Sequence, residues 1–134
     1  MTGRPREAAD HYEASLKLEN GNASTWNNLA FLLATCADPS VRNGSRAVEL
    51  AEQARQVTEG KNPVVLATLA AAYAESGRFA EAVSAAEQGL RLAAAHPNSE
   101  FVKALQAQLE LYLRGVPYHE ALTARNRLND GANE

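Results

Sequence analysis

The side chains best suited to chemistry in this chain are three histidines and one cysteine, and their spacing assembles nothing. His11, His96 and His119 fall in three separate stretches. None forms the His-x-x-x-His or Glu-x-x-His spacing that sets two metal ligands on one helix face, so they read as solvent-facing or capping residues. Cys36 has no histidine or basic neighbour in sequence to activate a thiolate, and it reads as a small filler at a helix end. One cysteine excludes an internal disulfide and cannot alone build a thiolate metal site. There is no Gly-rich phosphate loop and no Gly-x-Ser-x-Gly elbow. The expectation is a protein that is not an enzyme and holds no cofactor and no metal.

Composition narrows the remaining classes. The chain has 134 residues and a formal net charge of −3, enough length for one modest core. Alanine dominates the apolar content and aromatics are sparse, as suits closely packed helices, because alanine is the best helix former and lets backbones approach. No concentrated basic face is present, which argues against a nucleic-acid partner. No apolar run reaches the roughly 18–20 residues of a membrane span, and no apolar segment follows the N-terminal arginines as in a secretory signal. A soluble, cytoplasmic chain is favoured, whether whole or cut from a longer protein. Asn22-Ala23-Ser24 and Asn43-Gly44-Ser45 match the glycosylation acceptor pattern, but without a signal peptide they read as chance triplets.

The elements that would position any site are helical throughout. Residues 6–18 carry Ala8, Ala9, Tyr12 and Leu16 on one face, with Pro5 just inside the start and Asn20-Gly21-Asn22 as the stop. A second helix runs from Ala23 or Ser24 to about Cys36, halted before Pro39. Asn43-Gly44-Ser45 reads as turn and N-cap for a helix over 46–58. Gly60-Lys61-Asn62-Pro63 breaks the chain again before a helix over 64–75, which ends at Ser76-Gly77. Further helices are expected over 79–95 and from Asn98 or Ser99 to Arg114, with Gly115 as the stop. Pro117 is expected to start a short last helix with Tyr118, Ala121 and Leu122, and residues 125–134 have no burial pattern and should fray.

Within this order one pattern recurs. Trp26, Leu29, Ala30 and Leu33 open one helix, and Leu66, Leu69, Ala70 and Tyr73 open another with the same spacing. The helix after each reuses a small-residue ladder, Ala47, Ala51, Ala54 and then Ala82, Ala86, Gly89. A repeated helix pair cannot bury its apolar face alone, so neighbours stack to make a continuous core. Trp26, Leu29, Leu33, Leu50, Leu66, Leu69, Tyr73, Phe79, Val83 and Leu90 are the large core candidates. Ala30, Ala47, Ala70 and Ala82 should mark the closest helix approaches. Trp26 has the ring for ligand stacking, but its spacing to Leu29 and Leu33 puts it on the core side. The long loop before Arg42 belongs outside the stack.

The pattern resembles the tetratricopeptide repeat, two antiparallel helices in about 34 residues. Leu66, Leu69, Ala70 and Tyr73 fall at the family's helix A positions, Gly77 at its turn, and Phe79 and Ala82 at its helix B positions. The aromatic usual at the Ala86 site is missing, and the closing proline is displaced to Pro97. Trp26 matches the family's tryptophan, although the loop after that helix is about five residues longer than usual. Ala8, Tyr12 and Ser15 match a helix B whose helix A is absent. The resemblance implies an all-α short right-handed solenoid of stacked antiparallel helix pairs. Its parts would be a half repeat over 5–20, a first repeat over 23–62, a second over 63–96, a capping helix over 98–115, and a short helix and tail over 116–134.

In this family the concave face is lined by helix A residues pointing away from helix B. Carried over, these are Ser24, Asn27, Phe31 and Thr35, then Val64, Ala67, Ala71 and Glu75. The implied function is a scaffold or adaptor binding a peptide or helix segment of a protein partner, with the groove built from Asn27, Phe31, Thr35, Ala67, Ala71 and Glu75. Phe31 would either anchor that partner or pack under a neighbouring helix. Members that clamp a C-terminal carboxylate use Lys, Arg and Asn on successive A helices. Asn27 has no basic companion at Ala67 or Ala71, which argues against that mode. Two alternatives stand beside it. One is self-association through apolar surface at Tyr12 and Leu16, giving a homodimer. The other is a regulatory segment of a larger enzyme.

Overall fold

The computed structural model describes residues 3–18 and 22–120. Within them the chain is all-α: α1 (Gly3–Leu18), α2 (Ala23–Thr35), α3 (Gly44–Val57), α4 (Pro63–Glu75), α5 (Phe79–Leu92) and α6 (Glu100–Leu113). The helix starts are written in short polar side chains. Asn22, Asn43, Asn62 and Ser99 are N-caps, and each accepts a hydrogen bond from a backbone N–H of the first turn. These bonds satisfy donors the helix itself leaves free. Pro63 opens α4 where its missing N–H costs nothing.

The last turns of α4 and α6 share a second device. The amides of Arg78 and Gly77 bond to the Tyr73 and Ala74 carbonyls, and those of Val116 and Gly115 to the Leu111 and Tyr112 carbonyls. This paired closure reverses the chain through a left-handed residue, which is why Gly115 stands at φ +72°.

Helix α4 sets the architecture. Nine of its residues between Val65 and Ala74 are buried, and a helix apolar nearly all round must be covered on several sides. It packs on α2, α3 and α5, and α2, α3 and α4 touch one another mutually. The remaining contacts follow chain order, α1 on α2 and α6 on α5. Helices α3 and α5 bury one stripe each, Ala47, Leu50, Ala51 and Ala54 in α3 and Ala82, Ala85, Ala86 and Gly89 in α5. The four expected close-approach alanines, Ala30, Ala47, Ala70 and Ala82, are all fully buried.

Several expectations need correction. Residues 116–120 are not helical; they run on from the α6 closure as non-helical chain. The loop between α2 and α3 is not wholly outside the packing, since Val41 is buried in the core. Phe79, Val83 and Leu90 are only partly buried against that core. The Tyr12 side chain is half-buried against the core rather than left as exposed apolar surface. Glu13 of α1 pairs with Arg46 of α3 at 2.9 Å, and Arg6 donates to the Ser40 carbonyl at 2.5 Å. The exposed side chains of α1 include Arg4, Arg6, Glu7, Asp10 and His11, a polar outer face. The Leu16 side chain, Asn20-Gly21 and everything after Glu120 lie outside the described residues.

Candidate functional site

The site forms where α2 and α4 end side by side. At the end of α2 the Thr35 hydroxyl turns back to donate to the Phe31 carbonyl at 2.7 Å. The Thr35 carbonyl is one of the acceptors a helix end leaves unpaired. It accepts the backbone N–H of Glu120, 2.6 Å away and far along the chain. The next carbonyl, of Cys36, takes Nη1 of Arg42 at 2.6 Å. The loop is folded back by the Asn43 amide, which donates to the Leu33 carbonyl at 2.8 Å.

Close approach lets that loop reach α4. A Cβ on Gly44 would stand 2.7 Å from Ser76 Oγ and 3.1 Å from the Glu75 carbonyl carbon. Only a residue without a side chain seats α3 so near the end of α4. Arg42 is thereby brought to Glu75, Nε to Oε2 at 3.2 Å. His119 Nε2 takes the other oxygen, Oε1, at 2.6 Å. Glu75 is the last residue of α4, where the helix dipole disfavours an anion. Its side chain is only 18% exposed, so a cation and a ring N–H are what make a carboxylate tenable there.

Residues 116–120 complete the arrangement. Tyr118 is half-buried against the core, and its hydroxyl donates to the Glu120 carboxylate. Burial, then that bond, push the Tyr118 pKa up to about 12. On α6, Tyr112 is 1% exposed, and burial drives its hydroxyl far above the ordinary tyrosine range. The Tyr112 hydroxyl and Asn27 Oδ1 are buried with no hydrogen-bond partner among the described residues.

The residues expected to line a groove are therefore placed unequally. Thr35 and Ala71 are each 1% exposed, which corrects the expectation that they face an open groove. Glu75 is engaged by Arg42 and His119. Asn27, Phe31 and Ala67 are partly exposed, and Ser24 and Val64 are exposed. Thr35 and Glu75 are joined by one short segment of chain, and no hydrogen bond from that segment reaches Asn27, Phe31 or Ala67. His119, expected to face solvent or cap a helix, instead sets its ring on Glu75, and Arg42, Tyr118 and Glu120 had no role expected of them. A signal for Arg42 existed: Glu75 is the lone acid of an otherwise uncharged α4, and an acid at that end of such a helix calls for a cation.

A second polar cluster sits between α3, α4 and α5. Tyr73 donates to Glu52, which also accepts from Arg55 at 2.8 Å, and the Arg78 guanidinium lies 4.7 Å over the Tyr73 ring. Burial acts to raise the Glu52 pKa, but the bonds from Tyr73 and Arg55 outweigh it and leave it lowered. Burial and the bond to Glu52 push Tyr73 up to about 12. Glu52, Arg55 and Tyr73 border an open pocket of about 200 Å³. The cluster locks a core tyrosine to the surface of α3, and Arg78 is itself held by Glu81 at 2.6 Å. Among the described residues, no three His, Cys, Asp or Glu side chains are placed to hold a metal ion, and no helix is long and apolar enough to cross a membrane.

Compared with protein-family models and with curated proteins, the chain matches none.

Proposed function

We propose that this protein is a non-enzymatic interaction module of the tetratricopeptide-repeat kind, which holds an extended segment of a protein partner on the face shared by α2 and α4. One observation carries the reading. A non-helical stretch, residues 116–120, reaches the last turns of both helices, with a backbone N–H on the Thr35 carbonyl and a side chain on Glu75. The recurring large and small positions of α2 and α4, with the alanine ladders of α3 and α5, support the repeat assignment. Phe31, one turn before Thr35 and partly exposed, extends the face toward the start of α2.

The test is selection of extended peptides from a displayed library on the full chain, followed by amide-shift mapping. Bound peptides should perturb α2 and α4 around Asn27, Phe31 and Ala67. Phe31→Ala should weaken the selected peptides about tenfold or more, the loss expected of a buried aromatic anchor. Unchanged affinity in Phe31→Ala, or shifts confined to α3 and α5, would remove the assignment.

A further inference from the structure

On the basis of that reading, we infer that residues Val116–Glu120 are a built-in occupant of the binding face, which a partner segment must displace. The chemistry of the occupant defines the partner as an extended peptide presenting an aromatic residue followed by a basic one. Tyr118 supplies the aromatic, half-buried against the core. His119 supplies the donor on Glu75 Oε1 at 2.6 Å, and Glu120 the backbone N–H on the Thr35 carbonyl at 2.6 Å. The charged groups facing His119 are Glu75, from α4, and behind it Arg42, from the α2–α3 loop.

The segment is held in place without being part of the helical core. The left-handed turn at Gly115 reverses the chain out of α6. Beyond it the attachment is one backbone bond, one side-chain pair and one half-buried ring. Val116 is 43% exposed and the His119 side chain 34% exposed. So few contacts belong to the low-stability end of a protein's local openings, and a peptide repeating them with a further anchor on Phe31 would outcompete them. The segment therefore reduces apparent affinity by the fraction of molecules in which it is closed.

A fluorescent peptide with the sequence of Gly115–Glu120 can be titrated into the full chain and into the double variant Tyr118→Ala/His119→Ala. The variant should bind about tenfold more tightly, as expected when the open fraction rises from about one tenth to near unity. Adding Glu75→Gln to the variant should abolish that gain. His119→Glu, which sets a like charge against Glu75 and leaves Tyr118 in place, should reproduce the tightening if the double variant folds poorly. Equal, Glu75-dependent binding to wild type and variant would overturn the inference and leave the binding face standing. Absence of binding to a folded variant, or binding indifferent to Glu75→Gln, would overturn the binding face and the inference with it.

Discussion

Leu66→Ala is expected to lower the unfolding free energy by about 2–5 kcal/mol. The urea midpoint should fall while the slope with denaturant stays the same. Leu66 is 1% exposed on α4, the helix that touches α2, α3 and α5. Its Cβ lies 3.6 Å from where a Cβ on Gly89 would stand, so α5 packs against it with no side chain between. Neighbours held that closely by alanine and glycine ladders have few rotamers with which to refill a void, which favours the upper part of the range. Domains of this kind have about 5–15 kcal/mol in total, so one such change can consume a large share. Val64→Ala, on the same helix but 48% exposed, is the control and should stay within about 0.5 kcal/mol. A similar loss at both positions would contradict the placement of the core.

Arg42→Ala is the second large expectation, about 1–3 kcal/mol. Two groups lose a donor at once: the Glu75 carboxylate is left with the His119 ring alone, and the Cys36 carbonyl gives up its bond to Nη1. Both side chains of the ion pair are less than one-fifth exposed, 17% and 18%, so water compensates poorly. Arg42→Lys should recover only part of the loss, because an ammonium is a point charge and the guanidinium spans both acceptors. The exposed Lys61–Glu59 pair, 77% and 75% exposed, makes the contrast, and Lys61→Ala should change almost nothing. Urea titrations of these variants check the ordering. An Arg42→Ala variant as stable as wild type would show that Glu75 needs no cation.

The helices were legible in the sequence because their ends are local. A cap such as Asn43 or Ser99 bonds within its own first turn, and the Gly77 and Gly115 closures bond within their own last turn. The buried stripes were legible for the same reason: Ala47, Leu50, Ala51 and Ala54 recur at helical spacing. What could not be read is the tertiary choice at residues 116–120. Pro117 is as compatible with a helix start as with an extended chain. The outcome is fixed by Thr35 and Glu75, which lie some eighty and forty residues away in sequence. Arg42 was hidden in the same way. A loop arginine carries no periodicity, and only the close seat of Gly44 on the end of α4 shows why it points at Glu75. Burial of Thr35 and Ala71 was hidden too, since the resemblance assigned them to a groove and spacing along one helix does not show what packs over it.

A stretch of chain seated on the α2–α4 face ties up the amide of Glu120 in a hydrogen bond to Thr35, so that amide reports on it directly. Its hydrogen exchange should be measured in the full chain, with the amides of Leu50 and Leu66 as references. Exchange at Glu120 should be slowed by about tenfold against the free Gly115–Glu120 peptide. His119→Ala, which removes the segment's hold on Glu75 and spares the Arg42–Glu75 pair, should restore the peptide rate there and leave Leu50 and Leu66 unchanged. Exchange at the free-peptide rate in the wild-type chain would contradict the account.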